Sequence, residues 1–472
     1  MRAAIRRGTG ARFRRGAIGL YQAVTGRRFL DRLAELERQQ WLPRDQLLGL
    51  QRTKLGHLVE SAYAHVPYYR RLFDELGLRP ADVAADPAAF ARLPILTKDA
   101  ARRHSDELRT TDPRLRPQLG AVTTSGSTGA PFQFLQDHAF RDFVTADILR
   151  HLGWAGWRLG TTHCYLWGRR SDVALQKAVR VRLMDWILNR FVTTAWDLSD
   201  ERMAAFLEQV RRRRPAILFG YASSLHHFAT FCRDRGAGIG YRAVFSSADT
   251  LHPVQRRIIE ETFGCPVFDR YGTLENGGIG CQCEAQTGLH VSVENVYVEV
   301  LDAGGAPCPA GQPGNLVITN LNNLGMPLIR YSVADVVSWR EAGECPCGRA
   351  HPMLALVEGR TVDRFWTREG RMVLYGMDKP IVEMPGVRQY QLVQRSFDSI
   401  LVRVVRDPVL SAAEQATIVH GVRAYMGEHV QVEFEFPAEI PPLSSGKQRH
   451  WVCKLDEADR PAWDRAFRGV PD

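Results

Sequence analysis

The 472-residue chain has no apolar run approaching the ~18 residues that a membrane-spanning helix requires. The stretch from Ala17 to Val24 is too short and too polar for a secretory core. There is no internal repeat and no long low-complexity segment. Acid is missing from the N-terminal region: eight arginines fall between Arg2 and Arg28, and the first carboxylate is Asp31. Those eight leave only +2 of the net charge of +10 for the rest of the chain. The basic balance therefore belongs to an arm and not to a nucleic-acid-binding face. The arm reads first as a solvated, partly disordered tail. Because Gly19-Leu20-Tyr21 and Phe29-Leu30 interleave the arginines, its alternative is contact with an anionic membrane surface or an acidic partner. Nine cysteines, an odd number in a long chain without a secretory signal, lead us to expect reduced thiols and a cytoplasmic protein.

A further absence is chemical. The run Val122-Thr-Thr-Ser-Gly-Ser-Thr-Gly-Ala-Pro131 is dense in hydroxyls and carries two glycines. Glycine lets a backbone approach a ligand closely. Turned N–H groups and hydroxyls suit phosphate oxygens. Yet no lysine follows the second glycine, which excludes the common nucleotide loop ending in Gly-Lys-Ser/Thr. If this run grips phosphate, its lysine comes from elsewhere in the chain.

The length calls for two or more domains, and a hydrophobic share of 45% allows a large core without disulfides. From Arg44 to Ala64, Leu55, Leu58, Val59 and Ala62 recur at helical spacing until Pro67 stops the pattern. Thr97 is placed to cap a following helix. Short apolar strands at Ala216–Phe219, Ala243–Phe245 and Val267–Phe268 alternate with helices at Ser223–Cys232 and Pro253–Phe263, which predicts an α/β fold with parallel strands. His290 to Leu301 then alternates as a half-buried strand, and Asn315 to Thr319 follows a turn, as in an antiparallel or barrel-like sheet. Beyond Gly359 a small α+β module is expected. Its strands fall near Gln389–Gln394, Ile400–Val405 and Val430–Phe436, with a helix at Ser411–Met426. The predicted organisation is a basic arm over residues 1–40, a large domain over 41–360 and a small C-terminal domain over 361–472.

Four later segments join the glycine-rich run: Asp269-Arg-Tyr-Gly-Thr-Leu-Glu-Asn276, Leu328-Ile-Arg-Tyr-Ser-Val-Ala-Asp335, Gly359-Arg-Thr-Val-Asp363 and Pro442-Leu-Ser-Ser-Gly-Lys-Gln-Arg449. Each alone has a bland reading as a strand end, a cap, a surface turn or a solvated loop. Their order is what carries information. In these five motifs, and in the helices around Leu55–Tyr69 and Leu93–Lys98, nearly the whole chain resembles the adenylate-forming superfamily (acyl-CoA synthetases, nonribosomal adenylation domains, luciferases). Within it, the chain resembles the phenylacetate–CoA ligase and capsular-polysaccharide CapK-like subgroup.

The resemblance implies a large adenylate-forming α/β domain with a small mobile C-terminal domain. It implies an AMP-forming acid–thiol ligase that converts a carboxylic acid, with an aryl acid favoured, to an acyl-adenylate and pyrophosphate. Transfer to coenzyme A would then form a thioester. Ser125, Gly126, Ser127, Thr128 and Gly129 would hold the ATP phosphates, with Thr128 also catalytic. Tyr271 and Gly272 would lie by the adenine and α-phosphate, and Glu275 would hold Mg²⁺, a hard cation. Asp335 would accept from the ribose hydroxyls, Arg360 would contact the ribose or phosphate, and Asp363 would be the hinge. Lys447 would bridge carboxylate and α-phosphate, supplying the charge that the loop lacks. Trp167, Tyr221, Ser246 and Ala248 match regions that line the acyl pocket in relatives.

Departures from the family pattern are Ser127 for a threonine, Ala334 for the glycine before the aspartate, Asp249 for a glutamate, and His450 three residues past the lysine. Rival readings are transfer of the acyl group to a separate carrier-protein thiol or an amine, and a non-catalytic zinc-stabilised scaffold. Cys283, His290, Cys345 and Cys347 form a Cys₃His set suited to structural zinc, with Cys281 competing as a ligand. Subgroup members look zinc-bound at matching positions. The remaining cysteines and His226-His227 read as packing or surface residues.

Overall fold

The computed structural model describes residues 14, 16–123, 132–168, 179–195, 198–302, 304–341, 343–360, 365–369, 372–373, 377–382, 384, 386–441, 450–456 and 459. The glycine-rich run from Thr124 onward, Asp363 and Lys447 lie outside the described residues, as does the side chain of Arg360.

In chain order the strands are β1 (Gly120–Thr123), β2 (Gln133–Gln136), β3 (His163–Leu166), β4 (Arg190–Thr193), β5 (Ile217–Tyr221), β6 (Ala243–Ser247), β7 (Val267–Thr273), β8 (Gly277–Gln282), β9 (Leu289–Val291) and β10 (Val296–Leu301). They continue as β11 (Gly314–Asn320), β12 (Tyr331–Trp339), β13 (Met353–Arg360), β14 (Phe365–Trp366), β15 (Met372–Val373), β16 (Gln389–Ser396), β17 (Ser399–Val405), β18 (Gln431–Glu435) and β19 (Trp451–Cys453). An 11-stranded sheet runs β10-β11-β12-β13-β9-β8-β7-β6-β5-β3-β4. From β4 to β7 every pairing is parallel. From β7 to β10 every pairing is antiparallel. The barrel-like region expected downstream is thus the antiparallel half of this same sheet.

The parallel half arises as the pattern predicts, because β5 and β6 are buried throughout and read as continuous apolar runs. Its crossover helices are Asp200–Arg213, Ala222–Asp234 and Pro253–Phe263. Leu218, Val244 and Val267 face one core layer with Leu225, Phe228 and Ile259, while Phe219, Phe245 and Phe268 face the other. The expected helix near Arg44 runs over Arg44–His65. Val66 is extended, and Pro67 starts a new helix at its first position, where its missing N–H costs nothing. Thr97 accepts from Ala100 N, as a cap should.

Three expectations are corrected. The single strand over His290–Leu301 is two strands, because Ser292, Glu294 and Asn295 turn inward to meet buried partners. The segment Leu328–Asp335 reads as a strand ended by its aspartate, but Asp335 lies inside β12, beside a register shift. From Gly16 to Gln40 the arm is not a tail. It is helical over 16–25 and Phe29–Gln39, with Ile18, Phe29, Leu33 and Leu36 buried against the helix His138–Trp154, and Arg27 pairs with Asp142.

The C-terminal module is a four-stranded sheet, β18-β17-β16-β19, with its own core around Leu392, Ile400, Ile418 and Trp451. Its helix Ala412–Met426 starts in a capping box between Ser411 and Glu414. No described helix is long and apolar enough to cross a membrane.

Candidate active site

In an open α/β sheet, ligands gather beyond the carboxyl ends of the parallel strands. Those ends are where the predicted residues converge. Trp167 follows β3, Tyr221 ends β5, Ser246 and Ala248 are at the end of β6, and Tyr271 lies late in β7. Register aligns Leu166 with Gly220 and Gly220 with Ser246. The Trp167 and Tyr221 rings stack with centroids 4.1 Å apart. Ser246 is fully buried, and its hydroxyl has no hydrogen-bond partner among the described residues. Ser223 donates to Asp249 at 2.6 Å, tying the helix after β5 to the turn after β6.

Tyr271 reaches across the sheet and donates from its hydroxyl to Oδ2 of Asp335. Asp335 is 6% exposed, and its backbone pairs with Arg360 on β13. Ala334 holds φ +58 and Ala248 holds φ +71. Both are in the left-handed region that disfavours side chains other than glycine's. Non-glycine residues held there concentrate at functional sites, and here both flank site residues.

Glu275 sits in the turn between β7 and β8, partly exposed. The turn is closed by contact: a Cβ on Gly272 would lie 2.4 Å from the carbonyl oxygen of Gly277. Buried amides grip it from below. Asn295 and Asn320 donate to the carbonyl of Asn276 at 2.7 and 2.9 Å. Gln136, on β2, donates to the carbonyl of Leu274 at 3.0 Å. β1 and β2 pair antiparallel from Thr123–Gln133 to Gly120–Gln136, and this bond ties β2 to the Glu275 turn. Sequence reasoning missed Gln136, Asn276, Asn295 and Asn320. No periodic signal marks buried amides whose partners are far away in the chain.

Beneath the turn lies a buried ionic network. Arg150 donates to Glu294 and Asp147, both at 2.7 Å, and Arg270 donates to Asp147 at 3.1 Å. Burial alone would raise the Glu294 carboxyl, but Arg150 and His351 outweigh it and hold the group well below the carboxylate range. Burial pushes Asp269, on β7, up to about 6.

The C-terminal module meets this face through His450, whose ring lies 6.1 Å from that of His252, the residue capping the helix Pro253–Phe263. His450 also stacks on Tyr390 at 4.4 Å, and Tyr390 and Trp451 both donate to Asp378. His450 is the first described residue after the segment containing Lys447. His226 and His227 pack as expected, and His227 contacts the carbonyl of Leu198 at 2.9 Å.

Cys283, His290, Cys345 and Cys347 place their ligand atoms within 4.8 Å of one another. The sulfurs of Cys283 and Cys345 are 3.5 Å apart, and Cys347 Sγ is 3.4 Å from His290 Nε2. Tetrahedral zinc with thiolate bonds of ~2.3 Å sets its sulfurs about 3.8 Å apart, so the donor set fits. Ala285 N–H and Arg349 N–H point at Cys283 and Cys347 sulfurs, as donors to thiolates do. Cys281 is buried in the sheet core and is not part of this group.

Residues 365–454 match the family model of the CapK C-terminal domain. The C-terminal module is thus similar to that domain over nearly all of its described residues. The chain is 27% identical over 450 residues to a phenylacetate–coenzyme A ligase of Thermus thermophilus, covering 86% of this chain and 96% of that one. It is 24% identical over 384 residues to the protein CapK of Staphylococcus aureus, covering 78% and 81%. The fold is that of a 2-hydroxyisobutyryl-CoA ligase crystallised in the postadenylation state with an acyl-AMP, with a TM-score of 0.71, 20% identity and coverage of 92% and 94%. Together these support the phenylacetate–CoA ligase and CapK subgroup of adenylate-forming proteins. The match to the CapK C-terminal domain begins within β14, directly after the Gly359–Asp363 motif.

Proposed function

We propose that the chain is an AMP-forming ligase that activates a carboxylic acid with ATP and passes the acyl group to coenzyme A. The observation that carries the reading is the joining of Tyr271 to Asp335, with β2 bound through Gln136 to the turn that carries Glu275. A similar phenylacetate–coenzyme A ligase, matched over most of both chains, supports the reaction class.

In the first step a carboxylate oxygen attacks the α-phosphorus, the bond to the β-phosphate bridging oxygen breaks, and pyrophosphate leaves. Asp335 accepts from the ribose hydroxyls, and Tyr271 keeps its carboxylate oriented while packing by the adenine and α-phosphate. Ser125, Gly126, Ser127, Thr128 and Gly129 bind the departing phosphates. Glu275 would hold Mg²⁺, which neutralises phosphate charge when bound. Lys447 stabilises the charge that develops as carboxylate and phosphate join. In the second step the coenzyme A sulfur attacks the acyl carbon and AMP leaves, after rotation about Asp363 has withdrawn Lys447. The stacked pair Trp167 and Tyr221 gives the acyl pocket a flat aromatic wall, with Ser246 able to offer a hydroxyl, which favours an aryl acid. Zinc at Cys283, His290, Cys345 and Cys347 would be structural, since four protein ligands leave no open position.

Carboxylate-dependent ATP–pyrophosphate exchange across aryl, arylacetic, fatty and amino acids tests the first step. Product analysis with coenzyme A, a carrier protein and amines tests the second. Exchange with a thioester product upholds the reading, whereas exchange that yields only an amide or a carrier-bound product overturns the acceptor.

A further inference from the structure

The outward face of the helix over residues 16–25 is unusual for a surface helix. Its exposed positions are Gly16, Gly19, Leu20, Ala23 and Val24, with no charged or hydrogen-bonding side chain among them. A helix against water ordinarily turns polar groups outward. Leu20 is 68% and Val24 78% exposed. The inward face, through Ala17, Ile18 and Tyr21, shares one core cluster with Met184, Ile187 and Leu188 at the end of the helix Val179–Ile187. That second helix turns Leu183 and Trp186 outward, at 44% and 49% exposure, next to exposed Arg182. The guanidinium of Arg14 lies 5.4 Å over the Trp186 ring, which joins the two helices.

Charge decides what covers this face. Arg14 is helical, Arg2, Arg6, Arg7, Arg12 and Arg15 lie near it in the sequence, and no acidic residue precedes Asp31. A second copy of the chain would bring two arginine arms together. A nucleic acid would use the arginines but leave Leu20, Val24, Leu183 and Trp186 in water. Apolar side chains and an indole beside Arg14 and Arg182 are what an interfacial element presents to a bilayer with anionic headgroups.

We propose that the face carrying Leu20, Val24, Leu183 and Trp186, with Arg14 and Arg182 beside it, docks on the surface of an anionic lipid bilayer. The apolar side chains enter the headgroup boundary while the arginines pair with lipid phosphates. This holds whatever acid the enzyme activates, and its test does not use activity.

The experiment is co-sedimentation of the full chain with phosphatidylcholine vesicles, with and without phosphatidylglycerol, at low and high salt. Binding is expected to the anionic vesicles, weakening with salt and by about fivefold for each arginine neutralised. Leu20→Asp with Val24→Asp is expected to lower it roughly tenfold or more. Both positions face solvent, so the thermal transition should be unchanged. Trp186→Ala, which leaves the first helix intact, is expected to weaken binding too. Failure to bind anionic vesicles at low salt would overturn the proposal. So would undiminished binding by the double-aspartate variant, which would mark a mere polycation effect. A concentration-dependent dimer that this variant dissolves would assign the face to a second copy instead.

Discussion

The hydroxyl of Tyr271 donates to Asp335 across the boundary between two different parts of the sheet. Tyr271 ends the last parallel strand's run, and Asp335 sits four strands away in the sheet order, in the antiparallel half. The bond fixes the orientation of a buried carboxylate, which the proposed function would set against the ribose. Tyr271→Phe keeps the ring and removes the bond. Hydrogen bonds to charged groups contribute about 1.5–3 kcal/mol, so kcat/KM for ATP should fall by roughly tenfold or more, and the melting temperature should fall with it. Steady-state kinetics with ATP varied, beside a thermal melt, checks this. Unchanged ATP kinetics would refute the orienting role.

Ala334 occupies φ +58, where an L-residue is disfavoured by about 1–2 kcal/mol and glycine is not. Glycine's extra freedom in the unfolded chain offsets part of the gain. Ala334→Gly should therefore stabilise the fold by up to about 1 kcal/mol. A denaturant midpoint at or below the parent's would contradict this.

The Cys₃His set predicts one zinc per chain, measured by metal analysis of the purified protein. Cys283→Ser and Cys347→Ser should lose the metal and lower the melting temperature, and a strong chelator should do the same to the parent. Cys281→Ala should retain it, because that thiol packs in the sheet core. Metal lost from Cys281→Ala but kept by Cys283→Ser would reverse the assignment.

His163 and His226 are both lowered to about 4 by burial. In the unfolded chain each titrates near about 6.5. Between these values the unfolded chain takes up protons that the folded one refuses, so their contribution is present in full above about pH 6.5 and lost as pH falls toward about 4. The melting temperature should decline over that window. Replacing His163 with Phe should flatten the decline, and a slope unchanged by that substitution would refute its share.

Much of this architecture was legible because short buried strands alternating with amphipathic helices leave a periodic trace. Pro253–Phe263 begins and ends where the sequence places it, with Pro253 at its first position and Gly264 in the left-handed cap. The failure at Ser292–Asn295 has a specific cause. Val291, Val293 and Val296 kept an alternating look, while Glu294 and Asn295 were answering Arg150 and the carbonyl of Gly278, residues remote in sequence. The arm misled for the converse reason. Its arginines dominate the composition, but Ile18, Phe29, Leu33 and Leu36 decide its packing. At the candidate site, Tyr271, Glu275 and Asp335 were legible as motif residues, and the fold brings Tyr271 and Asp335 into contact. The amides beneath them were not, since an asparagine gripping a carbonyl looks like any turn residue.

The most direct test of the account is ATP–pyrophosphate exchange by the parent chain and by Lys447→Ala. The account predicts exchange that requires a carboxylic acid, reaches its highest rate with an aryl acid, and is abolished in Lys447→Ala while the melting temperature holds. Absence of acid-dependent exchange in the parent across the whole acid panel, or full exchange in the variant, would contradict it.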